Sequence, residues 1–81
     1  MEEFEFQTDS LSSFIIEDII TLHYGIGYSS SSNFMELELG VHRDYHIMSS
    51  KGSIDFSAIV GKNKNGKGYI VTIRPIKLNK K

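Results

Sequence analysis

An α+β fold, one helix packed on a four- to five-stranded, mainly antiparallel sheet, is predicted by three features of this 81-residue chain. Apolar and polar residues alternate in several stretches, as half-buried strands require. One early stretch carries apolar residues at helical spacing. Near the end, Asn65-Gly66 separates two runs of alternating apolar residues, the strongest short-range sign of a β-hairpin. An all-β, barrel-like sheet is the competing expectation, because isoleucine-rich stretches suit a pleated surface as well as a helix.

Phe4 and Phe6 alternate with Glu3, Glu5 and Gln7, a short first strand with one buried face. Thr8-Asp9-Ser10 then breaks the pattern and offers side-chain oxygens to cap a helix. Leu11, Phe14, Ile15, Ile19 and Leu22 follow at helical spacing, and Gly25 suits the left-handed residue that ends a helix. The spacing predicts a helix of about four turns over 11–24, with that stripe facing the core. Phe14, Ile16, Ile20, Leu22, Tyr24, Ile26 and Tyr28 also share one parity, so a strand through the same window remains open, and Asp18 is awkward in both readings.

Gly25 to Tyr28 leads into Ser29-Ser30-Ser31-Ser32-Asn33, a surface loop. Beyond it, Met35, Leu37, Leu39 and Val41 alternate with Glu36, Glu38, Gly40 and His42, the clearest half-buried strand, continued in parity by Tyr45 and Ile47 past a bend at Gly40. Ser49-Ser50-Lys51-Gly52 reads as a turn. Ile54, Phe56, Ala58 and Val60 line the inward face of the next strand, and residues 68–76 form the last. A type I′ turn centred on Asn65-Gly66 pairs Val60 with Val71, Ala58 with Ile73 and Phe56 with Pro75, which makes one hairpin face apolar. Pro75 lacks an N–H, so the last strand is expected at an edge or its ladder ends there.

The length fits one domain, near the size at which a core supplies only about 3–5 kcal/mol net, so support from an oligomer contact or from very regular packing is expected. There is no cysteine, which excludes disulfides, thiolate metal sites and cysteine nucleophiles. Met1-Glu2-Glu3-Phe4 lacks the basic start of a secretory signal, and no run approaches the ~20 apolar residues of a membrane span. A cytoplasmic protein without membrane contact is therefore expected.

Charge is split by position. Residues 1–60 carry ten carboxylates against Arg43 and Lys51, and residues 61–81 carry seven basic residues and no acid, so a formal charge of −1 conceals a dipolar chain. Two candidate surfaces follow. Glu36, Glu38 and Asp44 form an acidic strand face suited to a basic protein partner. Lys62, Lys64 and Lys67 at the hairpin tip, with Tyr69 and Arg74 behind them, form an anion-binding candidate in which the lysines follow a phosphate backbone and Tyr69 stacks on a base.

Gly61 to Gly68 nearly spells a phosphate-cradling loop, but residue 68 is Gly where a hydroxyl is needed, and a strand follows where the helix should begin. His42, Asp44 and His46 suit a metal chemically, yet on a strand they stand about 6.5–7 Å apart in succession, too far for the outer pair to share an ion. No metal, cofactor or catalytic residue is expected: the serines fall in loop-like runs without a base and an oxyanion hole, and so short a chain encloses little volume. The expected function is that of a small non-enzymatic binding protein acting stoichiometrically on another protein, in the manner of an inhibitor, an immunity protein or a phage-like accessory subunit. That comparison is of size and role alone. Nucleic-acid or nucleotide binding through the basic hairpin is the alternative, and a homo-oligomer is compatible with either.

Overall fold

In the computed structural model the described residues are 2–28 and 37–80. The serine run and the candidate residues Met35 and Glu36 lie outside them. Five elements follow in order: β1 (Phe4–Thr8), α1 (Ser13–Tyr24), β2 (His42–Ser49), β3 (Gly52–Lys62) and β4 (Tyr69–Lys80). The strands form one antiparallel sheet in the order β1-β4-β3-β2, with α1 on one face, so the predicted α+β architecture is the one the chain adopts.

α1 starts later than its spacing suggests. The Thr8 and Ser10 hydroxyls accept bonds from the Ser10 and Ser12 N–H groups in two tight turns before the first helical residue. The helix therefore has 12 residues, a little over three turns, and Leu11 precedes it. Its end is as expected: Gly25 takes φ +66°, its N–H bonds the Leu22 carbonyl and that of Ile26 bonds Thr21, the paired arrangement that satisfies the last free carbonyls.

The inward face is a correction. Ile16 and Ile20 are fully buried and Tyr24 nearly so, whereas Phe14 and Leu22, expected in the core, are 75% and 84% exposed. The ends of the helix fix this rotation. The Tyr24 hydroxyl donates to the Glu2 carbonyl at 2.9 Å, Phe4 stacks on His23 with ring centres 3.7 Å apart, and Ile26 plugs into the core just past the cap. Only the face holding residues 16, 20 and 24 continues into those anchors.

Burial, with the Glu2 charge second, raises the Tyr24 pKa above its ordinary 10.0. A phenol harder to ionise in the folded chain than in the unfolded one stabilises the fold fully below pH 10, and that contribution is lost as pH rises toward the folded value. Wild type is thus expected to lose melting temperature above about pH 10 more steeply than Tyr24→Phe. Parallel alkaline slopes would contradict the burial of this hydroxyl.

The sheet meets α1 with Ile54, Phe56, Ala58 and Val60 of β3, Val71 and Ile73 of β4, and Ile47 of β2. The β3–β4 register is the one expected, Val60 with Val71, Ala58 with Ile73 and Phe56 with Pro75. Pro75 is in part a correction: β4 as a whole is central and its ladder with β3 runs on to Lys80, so residue 75 is not at the end of that ladder, although locally one side of β4 is an edge there. The proline is accommodated by two local features. A bulge between Asp55 and Phe56 leaves Ile76 without a partner, and β1 reaches only as far as Ile73, so β4 has a single neighbour from Arg74 onward. The bulge also shifts parity, which turns Leu78 toward Ile54 on the core side.

The hairpin tip is longer than the two residues expected. Asn65 does not take positive φ, so the turn is not type I′; Gly66 N–H bonds the Asn63 carbonyl, and Gly66 and Gly68, at φ +80° and +76°, reverse the chain. A Cβ on Gly66 meets open space, but one on Gly68 lies 2.7 Å from the Thr8 carbonyl oxygen. Gly66→Ala is expected to cost about 1 kcal/mol and Gly68→Ala roughly 2–3 kcal/mol, compared by thermal melting. Equal costs would contradict this packing of the tip against the end of β1.

The strand expected from Met35 to Val41 is also corrected for its described part. Glu38 to Val41 is a turn, closed by Val41 N–H on the Glu38 carbonyl around Gly40 at φ +80°, and it meets the sheet at an isolated bridge of Leu39 to Val60, with the Gly40 N–H on the Val60 carbonyl at 2.8 Å. Alternation survives past it. Arg43, Tyr45 and Ile47 point inward, and His42, Asp44 and His46 outward.

Candidate functional site

The acidic candidates do not share a strand. Glu38 is exposed in the turn before β2, Asp44 is exposed on β2 opposite Ser57, and Glu36 lies outside the described residues. On the face of the sheet away from α1, Asp44 stands among groups of both signs. Arg74 pairs there with Glu3 at 3.3 Å, and His46 meets Asp55 across the β2–β3 ladder. His46 thus turns to its cross-strand neighbour and not to His42, as strand spacing requires, and among the described residues no three His, Cys, Asp or Glu side chains are placed to share an ion.

The basic candidates divide between two faces. Lys62 and Tyr69 are cross-strand partners on the α1 side, whereas Arg74, one parity away from Val71 and Ile73, faces the other. Lys64 and Lys67 are exposed at the tip. A groove of about 350 Å³ is lined by Lys62, Asn63, Gly66, Gly68 and Tyr69, and Asp9 is its sixth wall. That carboxylate places a negative charge where an incoming phosphate would sit. The Arg74–Glu3 pair is largely solvated and contributes about 0–1 kcal/mol, and it lies on the face of the sheet opposite Lys62 and Tyr69, so Arg74 does not join them in one site.

A third surface, absent from the expectations, is more sharply defined. α1 has apolar residues on both sides. Ile16, Ile20 and Tyr24 face the sheet, and Phe14, Ile15 and Leu22 face outward, 75%, 43% and 84% exposed, with the half-buried Ile19 along their margin. The stripe ends at a groove of about 430 Å³ lined by Leu22, Gly25, Gly27, Tyr28, Asp18, Thr21 and Lys51. The far wall is held by the β2–β3 turn, where Lys51 N–H bonds the Ile26 carbonyl at 2.9 Å and Ser50 N–H bonds that of Tyr28. Gly27, at φ +86°, is needed there because a Cβ would collide with the Ser50 hydroxyl.

A helix with apolar residues on two sides normally buries both, and here one side is bare. The signal was in the sequence. The same window satisfied both the helical stripe and the period-2 alternation because apolar residues occupy both sides of the cylinder. Comparison with protein-family models, with curated proteins and with solved structures gave no match for this chain.

Proposed function

We propose that this chain is a small non-enzymatic binding protein that works by stoichiometric contact with another polypeptide, and that the outer face of α1 with the adjoining Tyr28 groove makes the contact. One observation carries the reading: a two-faced apolar helix exposes Phe14 and Leu22 almost completely on a chain with a small core. Exposed apolar side chains clustered in this way, with a polar group among them, mark interaction sites on water-exposed domains. Asp18, one turn from both Phe14 and Leu22 on the same side of the helix, and Lys51 across the groove set orientation and selectivity more than affinity. A cytoplasmic setting suits the reading, since the chain has no cysteine and among the described residues no helix is long and apolar enough to cross a membrane.

The basic hairpin is the weaker candidate. Asp9 sits in its groove, Arg74 is turned to Glu3 on the other face, and the excess of acid over residues 1–60 repels a polyanion within a Debye length of about 10 Å.

Native mass spectrometry of protein purified from its own host tests the reading. Wild type is expected to retain a polypeptide in a fixed integer ratio, and a Phe14→Glu, Leu22→Glu variant to appear as a single folded chain. A bare single chain for wild type would contradict it. A mobility shift with DNA or RNA at low salt, abolished by changing Lys62, Lys64 and Lys67 to Gln, would favour the hairpin instead.

A further inference from the structure

We infer that the polypeptide seated on the outer face of α1 is a second copy of this chain, arranged about a two-fold axis. The inference rests on the reading of that face as a contact surface and adds the identity of its occupant.

Two properties of the patch fit a copy of itself. The first is area. With the exposures of Phe14, Ile15, Leu22 and Tyr28 at 75%, 43%, 84% and 75%, and an aromatic side chain presenting about 150–250 Å², the four residues offer roughly 500 Å² of apolar surface. A stable interface takes about 800 Å² from each partner, and homodimer interfaces are about 65% apolar. The patch therefore supplies the apolar share of one such interface, leaving a polar rim of ordinary size.

The second property is charge. The groove carries one acid, Asp18, and one base, Lys51, and neither has an ion-pair partner among the described residues. A patch of a single sign repels its own copy. This one is neutral and bears both members of a pair on different walls, as a two-fold interface requires, where residue i of one copy meets residue j of the other and j meets i. Asp18 of each chain, which lies between Phe14 and Leu22 on the helix surface, then pairs with Lys51 of its partner, twice over. A copy also supplies an oligomer contact, one of the ways in which so short a chain supplements its own core.

Light scattering of the purified full chain over a concentration series is expected to reach twice the 9.2 kDa chain mass. Phe14→Glu with Leu22→Glu should give the single-chain mass with an unchanged circular dichroism spectrum. Asp18→Lys and Lys51→Asp should each weaken association by roughly tenfold or more through like charges across the axis. Mixing those two single variants should restore it, because each mixed pair again sets acid against base; a pairing within one chain predicts no such rescue. A mixture as weak as its components, or wild type at single-chain mass throughout, overturns the second copy. If wild type is single-chain but protein from its own host holds a different polypeptide that the Phe14, Leu22 variant releases, the copy fails and the contact face stands. A dimer that survives the Phe14, Leu22 variant overturns both.

Discussion

Phe56→Ala is expected to lower the melting temperature by at least about 12 °C and to leave a large unfolded fraction at 25 °C. Among the described residues Phe56 is the largest fully buried side chain, on a strand flanked by two others, and its ring stacks on Tyr45 at 5.6 Å. Removing such a ring costs about 3–5 kcal/mol, part of it for the cavity left behind. That equals the about 3–5 kcal/mol a core of this size supplies in total, so the loss is not absorbed. The variant should be compared with wild type at one protein concentration, because association adds to apparent stability. A cooperative melt within a few degrees of wild type would contradict the placement of Phe56 at the centre of the core.

The second large effect discriminates between the two faces of α1. Ile16→Ala and Ile20→Ala, both at fully buried positions, should each cost about 2–4 kcal/mol. Phe14→Ala and Leu22→Ala, at exposed positions, should stay within about 0.5 kcal/mol in dilute protein. The spacing of Leu11, Phe14, Ile15, Ile19 and Leu22 predicts the reverse order. Urea unfolding of the four variants decides between them, and a larger loss at Leu22 than at Ile20 would show the helix turned by half a revolution.

That reversal marks where local pattern stops carrying information. The hairpin register was legible because the position of Asn65-Gly66 and the parity of Val60 and Val71 agree, and any slip by one residue exposes a whole face. The turn type was not, since it depends on positive φ at Gly66 and Gly68 and on the close approach of Gly68 to Thr8, a contact between distant parts of the chain. The helix was legible from spacing and from Gly25. Its rotation was not, because both sides are apolar and the deciding contacts are the Tyr24 bond to Glu2, the Phe4–His23 stack and Ile26.

Leu37 to Val41 alternates as a strand would, yet Gly40 folds a turn there, and alternation alone does not distinguish the two. Pro75 misled for a related reason: the sequence shows the missing N–H and hides the bulge and the short β1 that accommodate it. For the site, counting charge along the chain identified Glu38, Asp44, the tip lysines and Arg74 but could not assign them to faces. The topology scatters them and instead gathers Asp18, Leu22, Tyr28 and Lys51, distant in sequence, around one groove.

The most direct test of an outward, associating face on α1 exploits the absence of cysteine. Single Leu22→Cys and Ile20→Cys variants are labelled with a thiol reagent under native conditions, first in dilute protein and then as concentration rises. The thiol at position 22 should react at the rate of an unfolded control when dilute and become protected at high concentration, and the thiol at position 20 should remain protected throughout. Protection at 22 with reaction at 20 in dilute protein would contradict the orientation of the helix, and a rate at 22 that does not change with concentration would contradict self-association through it.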